Sequence, residues 1–395
     1  MINSNFHEKI VLVLSFLILN NYLLLGLSFP SLIIKINFII FLIAILTFYL
    51  KNFLDNQILK IFFLIVILIS LGTPLYEWDP RSIWLFHAKR IFYDISIFSI
   101  IDNYAEFSHN DYPTLVPALS ASLASLIGHW NEVFPKISFL LMYLPALILT
   151  LTLFKKTHYL IFLSIVLFII GKYLFNGWAD GLLAIYFGLS SFLMYVMFLD
   201  EKNIYKDKLL YLFITFSFFV SLTLIKNEGI ALLLILFIST LLIKTFRKEL
   251  KKDFSKILLL SLAFLPIIFW KYFCYSNGIG YNDYINVDIL SNLLPRLYNI
   301  DNYLLISYFL FLNEKFLICL IFFLISFWAK WDVKMFSFVS ITLLIYISIL
   351  FFIFLSTPYD FYWQLNSTAA RVVKSLSFLL AFFGLFNLRN WKMLN

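Results

Sequence analysis

The segment YEWDPRSIWLFHAKRIFYD, Tyr76 to Asp94, gathers carboxylates, cations, a histidine and two tryptophans in a chain otherwise dominated by Leu, Ile and Phe. A carboxylate at a surface can orient or deprotonate a hydroxyl or amide, and ammonium or guanidinium groups can hold an anionic leaving group. Glu77 and Asp79 offer the first kind of group, and Lys89 and Arg90, a few turns further on, offer the second. A plainer account stays open beside this one. Asp79 caps a helix, Glu77 pairs with Arg81, and the tryptophans mark a membrane interface.

More polar residues stand at comparable places. In AEFSHNDYPTLVPALSA, His109, Asp111 and Tyr112 precede Pro113 and Pro117, which stiffen the turn. His109 and Asp111 could contact an acceptor or enter a metal shell, although a lone loop histidine is more often a hydrogen-bonding residue. Asp180 in GWADG is a second carboxylate or an N-cap. Lys226 and Glu228 in IKNEGI interrupt an apolar run, where ionisable groups are costly; they pair with one another, or Lys226 holds a phosphate. Arg371 suits a phosphate because guanidinium makes paired hydrogen bonds to its oxygens; snorkelling to the interface is the alternative.

These residues must be positioned by membrane-spanning elements. Of 395 residues 62% are hydrophobic and 13% charged, an apolar balance that excludes an ordinary soluble domain. Apolar runs long enough to cross a bilayer, roughly 20 helical residues each, recur along the chain. The sequence therefore predicts an all-α polytopic transmembrane bundle of about twelve spans. They fall near 10–28, 32–50, 58–75, 137–154, 159–175, 180–199, 209–225, 230–243, 257–274, 315–329, 335–355 and 372–388. No polar linker divides residues 1–395, which are read as one integral membrane domain, and the first apolar run reads as a retained span, not a removed signal peptide.

With a cytoplasmic N-terminus, KNFLDNQILK, KKTH, DEKNIYKDK, KTFRKELKKDFSK, AKWDVK and LRNWKMLN lie inside and hold most of the basic residues. The net charge of +8 is then topological and needs no nucleic-acid partner. Outside fall a long first loop, 76–136, and a second, 275–314, both periplasmic on this reading. Asp79 and Pro80 predict a helix N-terminus, followed by an amphipathic helix on the membrane surface with Trp84, Ala88, Ile91, Phe92 and Ile95 on its apolar face. Cys274 and Cys319 have neither metal-type spacing nor a disulfide pattern. The Gly278 and Gly280 pair lacks the strand and lysine of a nucleotide loop, and Asn366-Ser367-Thr368 reads as a chance glycosylation match.

EWDPRSIWLFHAKRIF followed by SHNDYPTLVP resembles the pattern of bacterial GT-C membrane glycosyltransferases, the superfamily of protein O-mannosyltransferases, aminoarabinose transferases and oligosaccharyltransferases. FNGWADGLLAIY, LIKNEGIALLL and STPYDFYWQLNSTAARVV extend the likeness over most of the chain, although three spans precede the first large loop here and one does in many members. The resemblance implies a polyprenyl-phosphate-linked sugar as donor and an acceptor that is protein, lipid or glycan. It implies an inner-membrane enzyme facing the periplasm, with an acidic residue at the start of the first loop, Asp79 or Glu77, as base. It also implies a second loop carboxylate on metal or acceptor, a role open to Asp180, with Mg or Mn as the conceivable ion. A transporter or flippase of a lipid-linked saccharide is the competing class, favoured by mid-membrane charges in broken helices; a surface-polysaccharide polymerase or ligase would carry its main loop nearer the C-terminus.

Overall fold

A computed structural model describes residues 4–51, 57–98, 108–200, 207–279 and 289–389, and among these every regular element is helical. Parts of the basic segments (52–56, 201–206, 390–395), of the first loop (99–107) and of the second (280–288, with Gly280) lie outside the described residues.

Three helices open the chain: α1 (Ser4–Gly26), α2 (Ser31–Lys51) and α3 (Gln57–Gly72). The segment up to residue 136 then carries a five-residue π-turn (Pro80–Trp84), α4 (Leu85–Asp94) and α5 (Leu115–Ile127). Next come α6 (Ile137–Leu153), α7 (Lys156–Ile169), α8 (Asp180–Phe198), α9 (Lys208–Ile225) and α10 (Glu228–Phe246). The rest comprises α11 (Leu250–Ser261), α12 (Leu265–Ser276), α13 (Ile289–Leu297), α14 (Ile300–Phe311), α15 (Glu314–Ala329), α16 (Val333–Ser356) and α17 (Phe361–Leu388).

Among the described residues eight helical stretches are long and apolar enough to cross a bilayer, or nine if α14 and α15, bent by 72° at their junction, form one span. Each of the twelve predicted spans coincides with a helix. Those near 58–75, 137–154 and 159–175 are helices of 16, 17 and 14 residues, shorter than the length that marks a span.

Burial separates centre from periphery. The most apolar stretch of α8 is 94% buried and that of α17 is 83% buried, against 28% for α2. These two central helices pack on one another, α8 also against α9, and α17 against α15. On α2 and α3, Leu46, Leu64, Leu68 and their neighbours face outward, as lipid-facing residues do. Polar N-caps fix several starts: Asp207, Asn299, Asn313, Asp332 and Asp360 each accept a hydrogen bond from a backbone N–H in the first turn of the helix that follows.

The π-turn departs from the expected helix start. Asp79 is itself in helical conformation and its side chain makes no capping bond. Nor does α4 lie free on a surface, because it packs along α5, with Trp84, Ala88 and Ile91 buried and Ile95 exposed in a left-handed C-cap.

Candidate functional site

The side chain that Asp79 does not spend on capping goes to Arg371, whose Nη2 donates to Asp79 Oδ2 at 2.5 Å across 292 residues of chain. The same nitrogen lies 3.3 Å from Asp180 Oδ2. Asp180 is the first residue of α8, and its other oxygen accepts from Lys226 Nζ at 3.1 Å. Lys226, between α9 and α10, also pairs with Glu228 at 2.7 Å. Four distant segments thus close one chain of charges, Asp79–Arg371–Asp180–Lys226–Glu228, in which Asp79, Asp180 and Lys226 are buried, where the start of α8 meets the middle of α17.

Backbone geometry allows the approach. Gly177 sits at φ +84°, a left-handed conformation that glycine adopts at little cost, and a Cβ there would come within 3.3 Å of Pro80 Cβ, so the loop leading to Asp180 closes on the π-turn. Gly229 leaves room for the turn carrying Lys226 and Glu228, since a Cβ would stand 1.9 Å from the Leu222 carbonyl oxygen. Ser70 in α3 ties the same loop by donating to the Phe175 carbonyl at 3.1 Å.

Asp111 anchors a second group. Its Oδ2 accepts from Lys271 Nζ at 2.6 Å and from Asn227 Nδ2 at 2.8 Å, while its carbonyl accepts from Trp270 Nε1 at 2.9 Å. Asn227 stands beside Lys226, so the two groups adjoin. Tyr112 closes the gap: its ring lies 5.9 Å from Lys226 Nζ and 5.7 Å from the Trp84 ring. His109, at φ +50°, stacks on Tyr112 with ring centroids 4.8 Å apart and stands edge-on to Trp78. On the far side the Arg371 guanidinium rests 4.5 Å from the centroid of Trp178.

Of the sequence candidates, Asp79, Asp111, Tyr112, Asp180, Lys226, Glu228 and Arg371 come together. His109 stands one ring further out. Glu77 does not join: it pairs with exposed Lys172 at 2.7 Å, and not with Arg81. Lys89 is exposed on α4. Sequence reasoning passed over Lys271, Asn227, Trp178 and Lys172; a lysine inside the apolar run FLPIIFWKYFC was the available signal for Lys271.

Electrostatics distinguishes the members. Burial pushes the Asp79 carboxyl above its ordinary value and the negative charge of Asp180 adds to this, against the opposing pull of Arg371. Burial opposes the charge on Lys226, but the carboxylates of Asp180 and Glu228 outweigh it and hold the ammonium above the ordinary lysine value. Burial likewise raises the Tyr112 phenol. Several polar atoms in the cluster are buried without a hydrogen-bond partner among the described residues: Arg371 Nε, Asp111 Oδ1, Asn227 Oδ1, Glu228 Oε2 and Trp178 Nε1. Orphaned atoms of this kind cost about 1–3 kcal/mol each, and a polar ligand would relieve that cost.

Among the described residues no group of three or more His, Cys, Asp or Glu could hold an ion, and Asp180 and Asp111 are each taken by cationic side chains. No family model, curated protein or solved structure matches the chain.

Proposed function

We propose that the chain is an integral membrane glycosyltransferase of the GT-C type, moving a sugar from a polyprenyl-phosphate donor to an acceptor at the periplasmic face of the bacterial inner membrane. The observation that carries this reading is the convergence of Asp79 and Asp180 on Arg371 where α8 begins against α17. It joins a carboxylate of raised basicity to cations that can balance a leaving phosphate. The proposed topology has twelve spans with the segment 76–136 outside.

In the proposed reaction Asp79 accepts the proton of the acceptor hydroxyl or amide as the acceptor atom bonds to the anomeric carbon. The bond from that carbon to the phosphate oxygen breaks, and the phosphate departs with the electron pair. Arg371, through its unpaired Nε edge, and Lys226 balance the charge on the leaving phosphate. Asp180 holds both cations in place. Asp111 fixes the HNDYP turn, so Tyr112 and His109 wall the acceptor side. Replacement of Asp79 by Asn should abolish transfer while the protein still inserts and folds; near-wild-type transfer by D79N would sink the assignment.

The 72° bend between α14 and α15 supports a second reading, transport of a lipid-linked saccharide, because broken helices recur in transporters. Reconstituted vesicles separate the two readings. Movement of a labelled lipid-linked sugar across the bilayer with no chemical change to it would favour transport.

A further inference from the structure

A cleft of about 320 Å³ lies between the end of α3 and the segment before α6, walled by Leu71, Leu75 and Val133. At its floor is Lys136, 2% exposed, whose Nζ donates to the Thr73 carbonyl at 2.5 Å. Among the described residues no carboxylate pairs with this ammonium. Burial pulls it below the ordinary lysine value, and Glu132 lies exposed on the rim of the same cleft. An ammonium has three donors, and among the described residues only one is used here. Burying a charge this way is costly unless an anion meets it.

The cleft is therefore cationic at the floor, anionic at the rim and apolar along one wall. It opens beside the outward face of α3, where Leu64, Leu68 and Ile69 are 56%, 59% and 43% exposed, as a path for acyl chains. We propose that this cleft binds the headgroup of a phosphoethanolamine lipid, with its phosphodiester on Lys136 and its primary ammonium on Glu132. A choline headgroup has no N–H to donate to Glu132, and a glycerol headgroup brings no positive charge. The site is separate from the Asp79–Arg371 cluster and does not depend on the glycosyl-transfer reading. It touches that cluster through Gly177, whose absent Cβ would stand 3.5 Å from Lys136 Cγ and 3.3 Å from Pro80 Cβ. An occupied cleft thus braces the loop that presents Asp180.

The test uses the purified full chain in detergent, with thermal stability and native mass spectrometry read after adding phosphatidylethanolamine, phosphatidylglycerol, phosphatidylcholine or water-soluble glycerophosphoethanolamine. Phosphatidylethanolamine is expected to give the largest stabilisation, with K136Q and E132Q each binding it about tenfold more weakly or worse. Val133→Trp, on the exposed wall, fills the cleft and is expected to lose the same response, which keeps the test open should K136Q fail to fold. An equal response to all three lipids, or a phosphatidylethanolamine preference unchanged in E132Q and V133W, overturns the proposal. Full stabilisation by glycerophosphoethanolamine alone overturns the assignment to a membrane lipid.

Discussion

Helix α10 carries a charge cluster at each end, and the two are built differently. At its C-terminal end Lys244 pairs with Glu249 at 2.9 Å and Asp253 at 2.8 Å, and Asp253 with Lys256 at 3.3 Å. All four residues fall in one hairpin of sequence, KTFRKELKKDFSK, so local chain geometry is enough to assemble them. At its N-terminal end Lys226, paired locally with Glu228, meets Asp180 46 positions away, and Arg371 reaches 191 and 292 positions to its two carboxylates. The local cluster clamps α10 to α11. The distant one requires the whole bundle to bury charges side by side, and it leaves polar atoms unpaired. A charge arrangement that costs stability and is assembled from the whole fold marks a working site more strongly than one a hairpin makes for itself.

The largest effect should come from the hub of the distant cluster. Arg371→Met leaves Asp79 and Asp180 buried without their shared cation and should cost about 3–5 kcal/mol, as loss of one partner of a buried pair does. Lys244→Met at the other end leaves Glu249, 41% exposed, to water and buried Asp253 to Lys256, and should cost less, about 1–3 kcal/mol. Equal losses in thermal denaturation would erase the distinction between the two ends.

Asp79→Asn should lower transfer by about 10²–10⁴-fold with the melting temperature little changed. Glu77→Gln, which loses only a pair to exposed Lys172, should stay within about threefold of wild type. A reversal, with E77Q inactive and D79N active, would move the base to Glu77.

The smallest effect concerns pH. His87 is buried, donates from Nε2 to the Ser108 carbonyl at 2.9 Å, and is held neutral by burial, down to about 4. The unfolded chain takes up its proton near 6.5, so stability is fully present above that pH and falls as pH drops towards about 4. The loss is at most a few kcal/mol. Hydrogen exchange of α4 and of residues 108–112 should quicken between pH 6.5 and 4.5 in wild type and show less pH dependence in His87→Gln. Matching pH profiles would remove His87 from the account.

Much of the framework was legible in the sequence because apolar run length and charge breaks are local properties. α8, α9 and α10 begin within a few residues of their expected starts, whereas α17 begins at Phe361, three turns before the expected 372, and Asp180, Lys226 and Arg371 stood out as charges at apolar boundaries. Which charges meet was not legible, since pairing across 292 residues depends on how helices pack. Asp79 looked like a cap because Asp before Pro usually is one; the π-turn and Arg371 won instead. Glu77 looked like a partner for Arg81, yet the fold brought Lys172 closer. Lys136 gave no signal, because only packing makes it a buried cation in a cleft.

The most direct test supplies the purified chain with a panel of polyprenyl-phosphate sugars and native lipid extract and follows donor and free polyprenyl phosphate by mass spectrometry. The account predicts that at least one donor is converted to polyprenyl phosphate with its sugar on an acceptor, and that D79N leaves that donor intact. Conversion by D79N at the wild-type rate, or recovery of every donor unchanged from the wild-type protein, would contradict it.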